Sequence, residues 1–326
     1  MTQGRSAYAA VVLALCLVLS ACGGDKAPKN ANAAPTPSAG LGQCAELTLA
    51  YVPGNGYEAS AFLVGGLAES ELGCEVTYRK TTSRKAWRLV ARGEVDAYLD
   101  AYGNADLQEK LVSNHGPVTV VGPNGVQGGV GLLAPYFMAG LGLETWRDLA
   151  DVARIGWGSS RPALTTVPEL LVLARAVVDF LELDYEVHDY EELTAGGVMR
   201  ELPALAQSDD NRRIPNLYLV EGPRSLLANG PGRFAVQLPE SAAEGCQPHA
   251  QATLCSLADF DYQKIVNTDF ANSDSPAYNL IYNYRLGRKP ATDILQIVSL
   301  SGYRVRAADV SSWINTHEEV WRRWLE

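Results

Sequence analysis

The fold class is decided by the stretch Gly93-Glu94-Val95-Asp96-Ala97-Tyr98-Leu99-Asp100-Ala101-Tyr102-Gly103-Asn104. Apolar side chains alternate in it with polar and aromatic ones, which predicts a short strand, and the preceding segment 83–91 is typical of a helix. Ligands of α/β proteins bind beyond the carboxyl ends of the strands. Asp100, Tyr102 and Asn104 are therefore candidate ligand-binding residues.

Strand and helix patterns alternate along the rest of the chain. Strands are predicted at 46–52, 75–80, 117–122, 129–133, 153–157, 185–188, 216–220, 234–238 and 264–267, and helices at 57–72, 83–91, 143–149, 167–181, 198–207, 276–286, 291–300 and 308–325. Thr145 is a candidate helix cap, and the tryptophans of 308–325 recur at helical spacing, which is typical of a core-facing stripe. The alternating order predicts an α/β protein with parallel sheets and crossover helices.

The N-terminus has the pattern of a secretory signal. Arg5 precedes an apolar run that ends in Leu19-Ser20-Ala21-Cys22, which predicts a signal peptide over 1–21. This ending resembles the bacterial lipobox, in which the cysteine is acylated, so Cys22 would carry a lipid. An ordinary signal peptide is the alternative. Residues 22–43 are rich in Ala, Pro, Asn and Gly and predict a flexible tether. We therefore expect an extracytoplasmic protein that the lipid on Cys22 anchors to the bacterial membrane.

Charge and cysteine content restrict the function further. The formal net charge of −10 argues against a nucleic acid partner. Beyond Cys22, Cys44, Cys74, Cys246 and Cys255 remain, and an even set in an exported protein predicts disulfides with three pairings open. Cys44–Cys74 and Cys246–Cys255 are favoured, because the first joins the start of the fold to the end of its first helix and the second closes a short loop. A metal site at Cys246, His249 and Cys255 lacks a fourth ligand at zinc-like spacing.

Motifs for catalysis are not found in the sequence. It contains no Gly-x-Ser-x-Gly elbow, no phosphate-binding loop and no His-Glu-x-x-His helix, and its four histidines are scattered. We therefore expect neither an enzyme nor a bound cofactor or metal.

Aromatic and polar residues recur where predicted strands end. The set comprises Asn55, Tyr57, Tyr102, Asn104, Trp157, Ser159, Glu221 and Arg224. An aromatic face attracts a cation that cannot donate hydrogen bonds, and a nearby carboxylate adds to the attraction. Core packing is the commoner explanation for any single ring, but the shared placement indicates a binding site for a small cationic or zwitterionic solute.

The chain resembles the substrate-binding proteins of glycine betaine/choline-type ABC importers. The resemblance rests on Leu47–Val52, Ala86-Trp87, Ala91–Ala97, Gly131–Tyr136, Ile155-Gly156, Trp313 and Trp321–Leu325. It implies two α/β lobes, each a mostly parallel sheet flanked by helices, that close on a ligand like a clamshell. Lobe 1 would comprise 44–130 plus 258–326, and lobe 2 would comprise 131–257. It also implies a permease partner that is driven by a cytoplasmic ATPase.

The resemblance also predicts where the ligand binds. Tyr102-Gly103-Asn104 stands where the family has Trp-Leu-Pro, whereas Gly54-Asn55 and Val220–Pro223 stand where it usually has other tryptophans. Either Tyr57, Tyr136 or Trp157 completes a cage for a quaternary amine, with Glu221 as the charge, or the protein binds another amine or an amino-acid-like zwitterion, with Arg224 pairing a carboxylate. A solute sensor with the same fold is a further alternative.

Overall fold

The computed structural model describes residues 44–54, 58–113, 116–153, 155, 162–190, 197–198, 216–224, 227, 233–237, 260–302 and 304–326. The signal peptide, the tether and several predicted site residues lie outside the described residues; these residues are Cys22, Asn55, Tyr57, Trp157, Ser159, Cys246, His249 and Cys255.

The strands of the described residues form one mixed sheet. They are β1 (Glu46–Tyr51), β2 (Glu75–Lys80), β3 (Ala97–Ala101), β4 (Val118–Pro135), β5 (Ala163–Thr166), β6 (Glu186–Asp189), β7 (Leu217–Pro223), β8 (Arg233–Ala235) and β9 (Phe260–Asn267). Their order is β2-β1-β3-β9-β4-β7-β5-β6, and β8 also pairs with β4. The predicted parallel pairs occur at both ends of the sheet, whereas β9 and β4 pair antiparallel in its centre.

Helices flank this sheet. The α-helices are α1 (Glu58–Leu72), α2 (Ser83–Ala91), α3 (Ala105–Val112), α4 (Leu149–Ala153), α5 (Leu171–Phe180), α6 (Thr268–Ala271), α7 (Pro276–Asn283), α8 (Arg288–Leu300), α9 (Ala307–Thr316) and α10 (Glu318–Trp321). Short 3₁₀ helices occur at Tyr136–Leu141, Trp146–Asp148, Pro168–Leu170 and Arg322–Trp324. In α2, Trp87 and Val90 are buried while Lys85 and Arg88 are exposed, which is the amphipathic pattern of a helix that covers a sheet.

Two clusters of buried side chains make up the core of the described residues. The larger contains Leu49, Leu99 and Ile265 together with Trp313 and the other C-terminal tryptophans. The smaller contains Leu164, Val177 and Leu219 from β5, α5 and β7. Since β4 and β9 contribute side chains next to both clusters, the centre of the sheet connects the two halves of the molecule.

Four predicted elements differ from the observed ones. The two strands predicted at 117–122 and 129–133 are the single strand β4, because its pairing with β9 continues through two register shifts. The strand predicted at 153–157 is wrong at its start, since Ala153 ends a helix and the strand of this region is β5. The helix predicted at 308–325 is interrupted at His317, whose backbone φ and ψ are −127° and 35°.

A disulfide joins Cys44 and Cys74, the pairing that the sequence analysis favours. It links a residue two positions before β1 to the residue just before β2. These are the amino ends of two parallel strands. The disulfide therefore lies at the opposite end of the strands from the carboxyl ends, where the site is expected.

Candidate functional site

Tyr102 directly follows β3 and belongs to an aromatic cluster. Its ring stacks on that of Phe260, with the ring centroids 3.3 Å apart and the planes at 13°. Tyr262 meets both rings edge-on, at 6.3 Å from Tyr102 and 5.0 Å from Phe260. Phe260 and Tyr262 share one face of β9 because they are two residues apart. The stack leaves Tyr102 with at most one ring face for a ligand.

The aromatic cluster of Tyr102, Phe260 and Tyr262 packs on a glycine of β4. Gly128 lies opposite Phe260 in the antiparallel ladder. A Cβ atom at Gly128 would overlap the Phe260 ring and lie 2.7 Å from Cε2 of Tyr262. The absence of a side chain at Gly128 is therefore what lets the rings approach the sheet at this point.

Glu221 lies on the other side of β4 from the aromatic cluster. It is in β7 opposite Val130, and Gly128 lies opposite Pro223 in the same ladder. Burial, and secondly the charge of Glu221, raise the pKa of Tyr102 to about 12. Two predicted site residues from distant parts of the sequence are thus brought together.

Arg224 follows β7 close to Glu221. We call the place where Tyr102, Phe260, Gly128 and Glu221 come together the junction. The backbone N–H of Arg224 donates to the carbonyl oxygen of Gln127 at 3.1 Å, and its side chain is exposed. Arg224 therefore lies beside the segment of β4 that carries Gly128.

Asp100 precedes Tyr102 by two residues and is buried, with 4% of its surface exposed. Its Oδ1 accepts hydrogen bonds from Ser60 Oγ at 2.7 Å and Asn124 Nδ2 at 2.8 Å. The hydroxyl of Tyr284 donates to Ser60 Oγ at 3.2 Å. Burial is the main cause that raises the pKa of Asp100 to about 8, and the charge of Glu58 adds to it. The carboxyl of Asp100 thus joins α1, β4 and the C-terminal region.

Asn104 shapes the turn that follows Tyr102. Gly103 and Asn104 both have left-handed backbones, with φ of 62° and 54°. The side chain of Asn104 donates to the carbonyl oxygen of Tyr102 at 3.3 Å and to Ser83 Oγ at 3.2 Å, and it accepts from Arg84 Nη1 at 3.3 Å. These bonds hold the backbone of Tyr102, so Asn104 positions the ring.

Tyr136 is not brought to this junction. It begins a 3₁₀ helix beyond β4 and is 61% exposed. Eight residues of extended chain separate it from Gly128, a distance of roughly 27 Å. Its ring therefore lies far from that of Tyr102.

Glu58, Phe260 and Tyr262 are features of the site that the sequence analysis missed. Glu58 begins α1, is 3% exposed, and accepts a hydrogen bond from the backbone N–H of Gly54 at 2.6 Å. The alternation in Phe260-Asp261-Tyr262 is a strand signal that extends the predicted strand 264–267 toward its amino end. Within the described residues, no group of three or more His, Cys, Asp or Glu side chains is arranged to hold a metal.

Comparison with known proteins finds a similarity to one family over part of the chain. Residues 45–171 match the family described as the substrate binding domain of the ABC-type glycine betaine transport system, OpuAC. This part of the chain is similar to that domain. It contains β1 to β5 and therefore carries Tyr102, Asp100 and Gly128. A comparison with curated protein sequences gave no match.

Solved structures resemble this segment together with the segments after it. A lactococcal OpuAC, closed and complexed with glycine betaine, is 15% identical with a TM-score of 0.62, over 86% of this chain and 99% of that one. A glycine betaine/L-proline-binding protein (ProX) from Borrelia burgdorferi is 14% identical with a TM-score of 0.61, over 86% and 97%. An ABC-transporter choline-binding protein in complex with choline is 13% identical with a TM-score of 0.60, over 86% and 91%. These are two-lobed periplasmic binding proteins, so the predicted fold class is confirmed.

Among the described residues, no helix has the length and apolar character that crossing a bilayer requires.

Proposed function

We propose that this protein is the extracytoplasmic solute-binding component of an ABC importer for glycine betaine, choline or a related quaternary amine. The observation that carries the proposal is the junction at which Tyr102, stacked on Phe260, lies within the electrostatic reach of Glu221 inside an OpuAC fold. A ring face and a carboxylate are the two groups that attract a cation without hydrogen-bond donors.

The mechanism is closure of two lobes on the solute and delivery to a permease, with no bond chemistry. We assign 44–130 plus 258–326 to one lobe and 131–257 to the other, so that Tyr102 and Glu221 belong to different lobes. A solute that contacts both residues binds the closed state better than the open state, and this difference in affinity drives closure. We further propose that acylated Cys22 and the tether 22–43 hold the protein at the membrane beside its permease.

Calorimetric titration with choline, glycine betaine, carnitine and proline betaine tests this function. We expect at least one of them to bind in the micromolar range or tighter, which corresponds to about −8 kcal/mol. Tyr102→Ala should weaken that binding by roughly tenfold or more, because it removes a ring that contacts the cation. Tyr136→Ala is the control, since that exposed ring lies far from the junction. Failure of all four solutes to bind would refute the proposal.

A second candidate function is suggested by Arg224. Its position beside β4, three residues after Glu221, would allow its guanidinium to pair the carboxylate of an amino-acid-like zwitterion. A sensor with the same fold would bind in the same way but lack a permease. If genes for a permease and an ATPase lie beside the gene of this protein, uptake is favoured. If a gene for a membrane kinase lies there instead, sensing is favoured.

A further inference from the structure

Asp100 is a buried carboxyl group without a cationic partner among the described residues. It lies in β3, two residues before Tyr102, and is 4% exposed. Its Oδ1 accepts hydrogen bonds from the neutral side chains of Ser60 and Asn124. No Lys, Arg or His side chain of the described residues forms an ion pair with it. A buried carboxylate is costly unless a cation pairs with it, so a carboxyl group that lacks one keeps its proton instead.

The titratable groups on α1 and β1 favour the protonated form of Asp100. Burial is the first cause that raises the pKa of Asp100 to about 8, and the charge of Glu58, the first residue of α1, raises it further. Burial, and secondly the charge of Glu58, also raise the pKa of Tyr51 at the end of β1. The charge that these two elements present to Asp100 is therefore negative, and it opposes release of the proton.

The groups on β9 and after α7 are connected to Asp100 through Ser60. The hydroxyl of Tyr284 donates to Ser60 Oγ at 3.2 Å, and the Nζ of Lys264 donates to the carbonyl oxygen of Tyr284 at 2.6 Å. Burial, and secondly the charge of Arg285, lower the pKa of Lys264 to about 7. Lys264 is thus a second group that titrates near neutral pH, and an experiment on Asp100 has to separate the two.

A solute bound at the junction would supply the cation that Asp100 lacks. Two residues of extended chain separate Asp100 from Tyr102, so a cation on the Tyr102 ring lies roughly 10 Å from the Asp100 carboxyl group. At that distance and an effective dielectric constant of about 20, a unit positive charge favours ionisation of a carboxyl group by roughly tenfold. Glu221 and Arg224 on the β7 side are the same in every variant compared below, so the comparison does not depend on how these two side chains are paired.

We propose that a cationic solute bound at the junction displaces the proton of Asp100 to the solvent, so that the protein binds its solute more tightly as the pH rises. The inference rests on the proposed function, because it takes the junction as the solute site. It goes further in giving Asp100 an effect on affinity that needs no contact with the solute, and in making uptake depend on the acidity of the surrounding medium.

The sign of the pH dependence follows from the two forms of Asp100. The carboxylate attracts the cation, whereas the protonated carboxyl group does not. At low pH Asp100 is protonated with and without solute, and the affinity is lowest. The affinity rises over the pH range in which binding removes the proton, and it levels off at high pH, where Asp100 is ionised before the solute binds.

Calorimetric titration of the full chain with choline and with glycine betaine tests this linkage. Neither solute gains or loses a proton between about pH 6 and 9, so any proton released comes from the protein. Titrations in buffers with different enthalpies of ionisation measure how many protons are released. We expect about 0.5 proton per bound solute near pH 7.5, and an affinity that rises roughly tenfold between pH 6 and 9. This measurement uses the wild type and does not depend on the folding of a variant.

Asp100→Asn separates Asp100 from Lys264, because asparagine stays neutral at every pH. We expect the variant to keep the affinity that the wild type has at pH 6, and to lose both the proton release and the rise in affinity. Asp184→Asn, which replaces an exposed carboxylate, is the matched control and should retain the linkage of the wild type. Circular dichroism and the thermal unfolding midpoint establish that both variants are folded. Proton release in Asp100→Asn equal to that of the wild type would assign the titration to another group and overturn the inference.

The remaining outcomes distinguish this inference from the proposed function. Solute binding with no proton released and with the same affinity from pH 6 to 9 overturns the linkage and leaves the solute-binding function intact. Uptake of a proton on binding has the wrong sign and overturns the linkage in the same way. Failure of both solutes to bind at every pH overturns the inference, and it also counts against the proposed function.

Discussion

Asp100 shows how a single buried carboxyl can serve the site without facing the ligand. Its Oδ1 receives hydrogen bonds from Ser60 in α1 and from Asn124 in β4. Asn124 also donates to the carbonyl oxygen of Leu99 and accepts from the backbone N–H of Val126. The strand end below Tyr102 is thus tied to the strand that carries Gly128, so the two sides of the junction are held in one network.

Asp100 should make the stability of the protein depend on pH. Its pKa is about 8 in the folded state, against 3.8 for an ordinary Asp. The protonated carboxyl of Asp100 contributes to the stability of the folded state fully below about pH 4, and this contribution is lost as the pH rises toward 8. The reason is that the unfolded chain releases the Asp100 proton at a lower pH than the folded chain does. The free energy of unfolding should therefore fall between pH 5 and 7 by up to about 1.4 kcal/mol per pH unit.

Urea unfolding of Asp100→Asn tests this dependence, since asparagine stays neutral. We expect its free energy of unfolding to change less between pH 5 and 7 than that of the wild type. Burial lowers the pKa of Lys264 to about 7, and its effect has the opposite sign above that pH, so the measurement stops there. Exposed Asp184→Asn is the control. Equal slopes in Asp100→Asn and the wild type would contradict the assignment.

At the scale of elements, β4 is the strand on which the site depends. Two strands were predicted because its glycines and Pro123 interrupt the apolar pattern, yet the pairing with β9 continues to Gly128. At Gly125 φ is 90°, a conformation that favours glycine. The neighbouring Asn124 accepts a hydrogen bond from the backbone N–H of Leu286 at 2.8 Å. The bend is therefore held by a backbone hydrogen bond to the segment after α7, and the side chain of Asn124 at the bend donates to Asp100.

Gly128→Ala should displace the aromatic cluster. The new methyl group would overlap the Phe260 ring, so the rings must shift from the sheet, and overpacking of this kind costs typically about 1–3 kcal/mol. We expect a lower free energy of unfolding, a changed near-ultraviolet circular dichroism spectrum and weaker solute binding. Gly140→Ala is the control, since a Cβ atom at that position meets nothing within 4 Å. If Gly128→Ala matches Gly140→Ala in all three measurements, the packing argument is wrong.

At the scale of the whole molecule, the proposed ligand site and the disulfide lie at opposite ends of the strands. The disulfide Cys44–Cys74 lies at the amino ends of β1 and β2, whereas Tyr102 and Glu58 lie at the carboxyl ends of β3 and β1. The length of the strands therefore separates the proposed ligand site from the disulfide.

Replacing both cysteines should lower stability but preserve binding. The disulfide closes a loop with a sequence separation of 30, and removal of such a constraint on the unfolded chain costs about 3–4 kcal/mol. We expect Cys44→Ser/Cys74→Ser to unfold at lower urea concentration than the wild type. Its affinity for the solute should stay within a factor of two, as measured by titration at a temperature where both proteins are folded. A loss of affinity as large as that of Tyr102→Ala would contradict the separation.

Local patterns were enough for much of the fold. Alternation predicted β1, β2 and β3, helical spacing predicted that Trp313, Trp321 and Trp324 are buried, and Thr145 caps its helix through a capping box with Asp148. Each of these features depends on residues within a few positions of one another, and such short-range preferences are readable in a sequence. The predicted boundaries were wrong in two places where the local pattern did not decide the structure. The strand β4 is continuous, and the last predicted helix is interrupted at His317.

The sequence by itself therefore determined the α/β class and the place of Tyr102 at the end of a strand. Only the tertiary structure decided that Tyr102 stacks on Phe260, that the charge of Glu221 raises the pKa of Tyr102, and that Asp100 is buried in a hydrogen-bond network. These contacts join residues that are far apart in the chain. They depend on strand order and register, which long-range packing sets and no local period encodes.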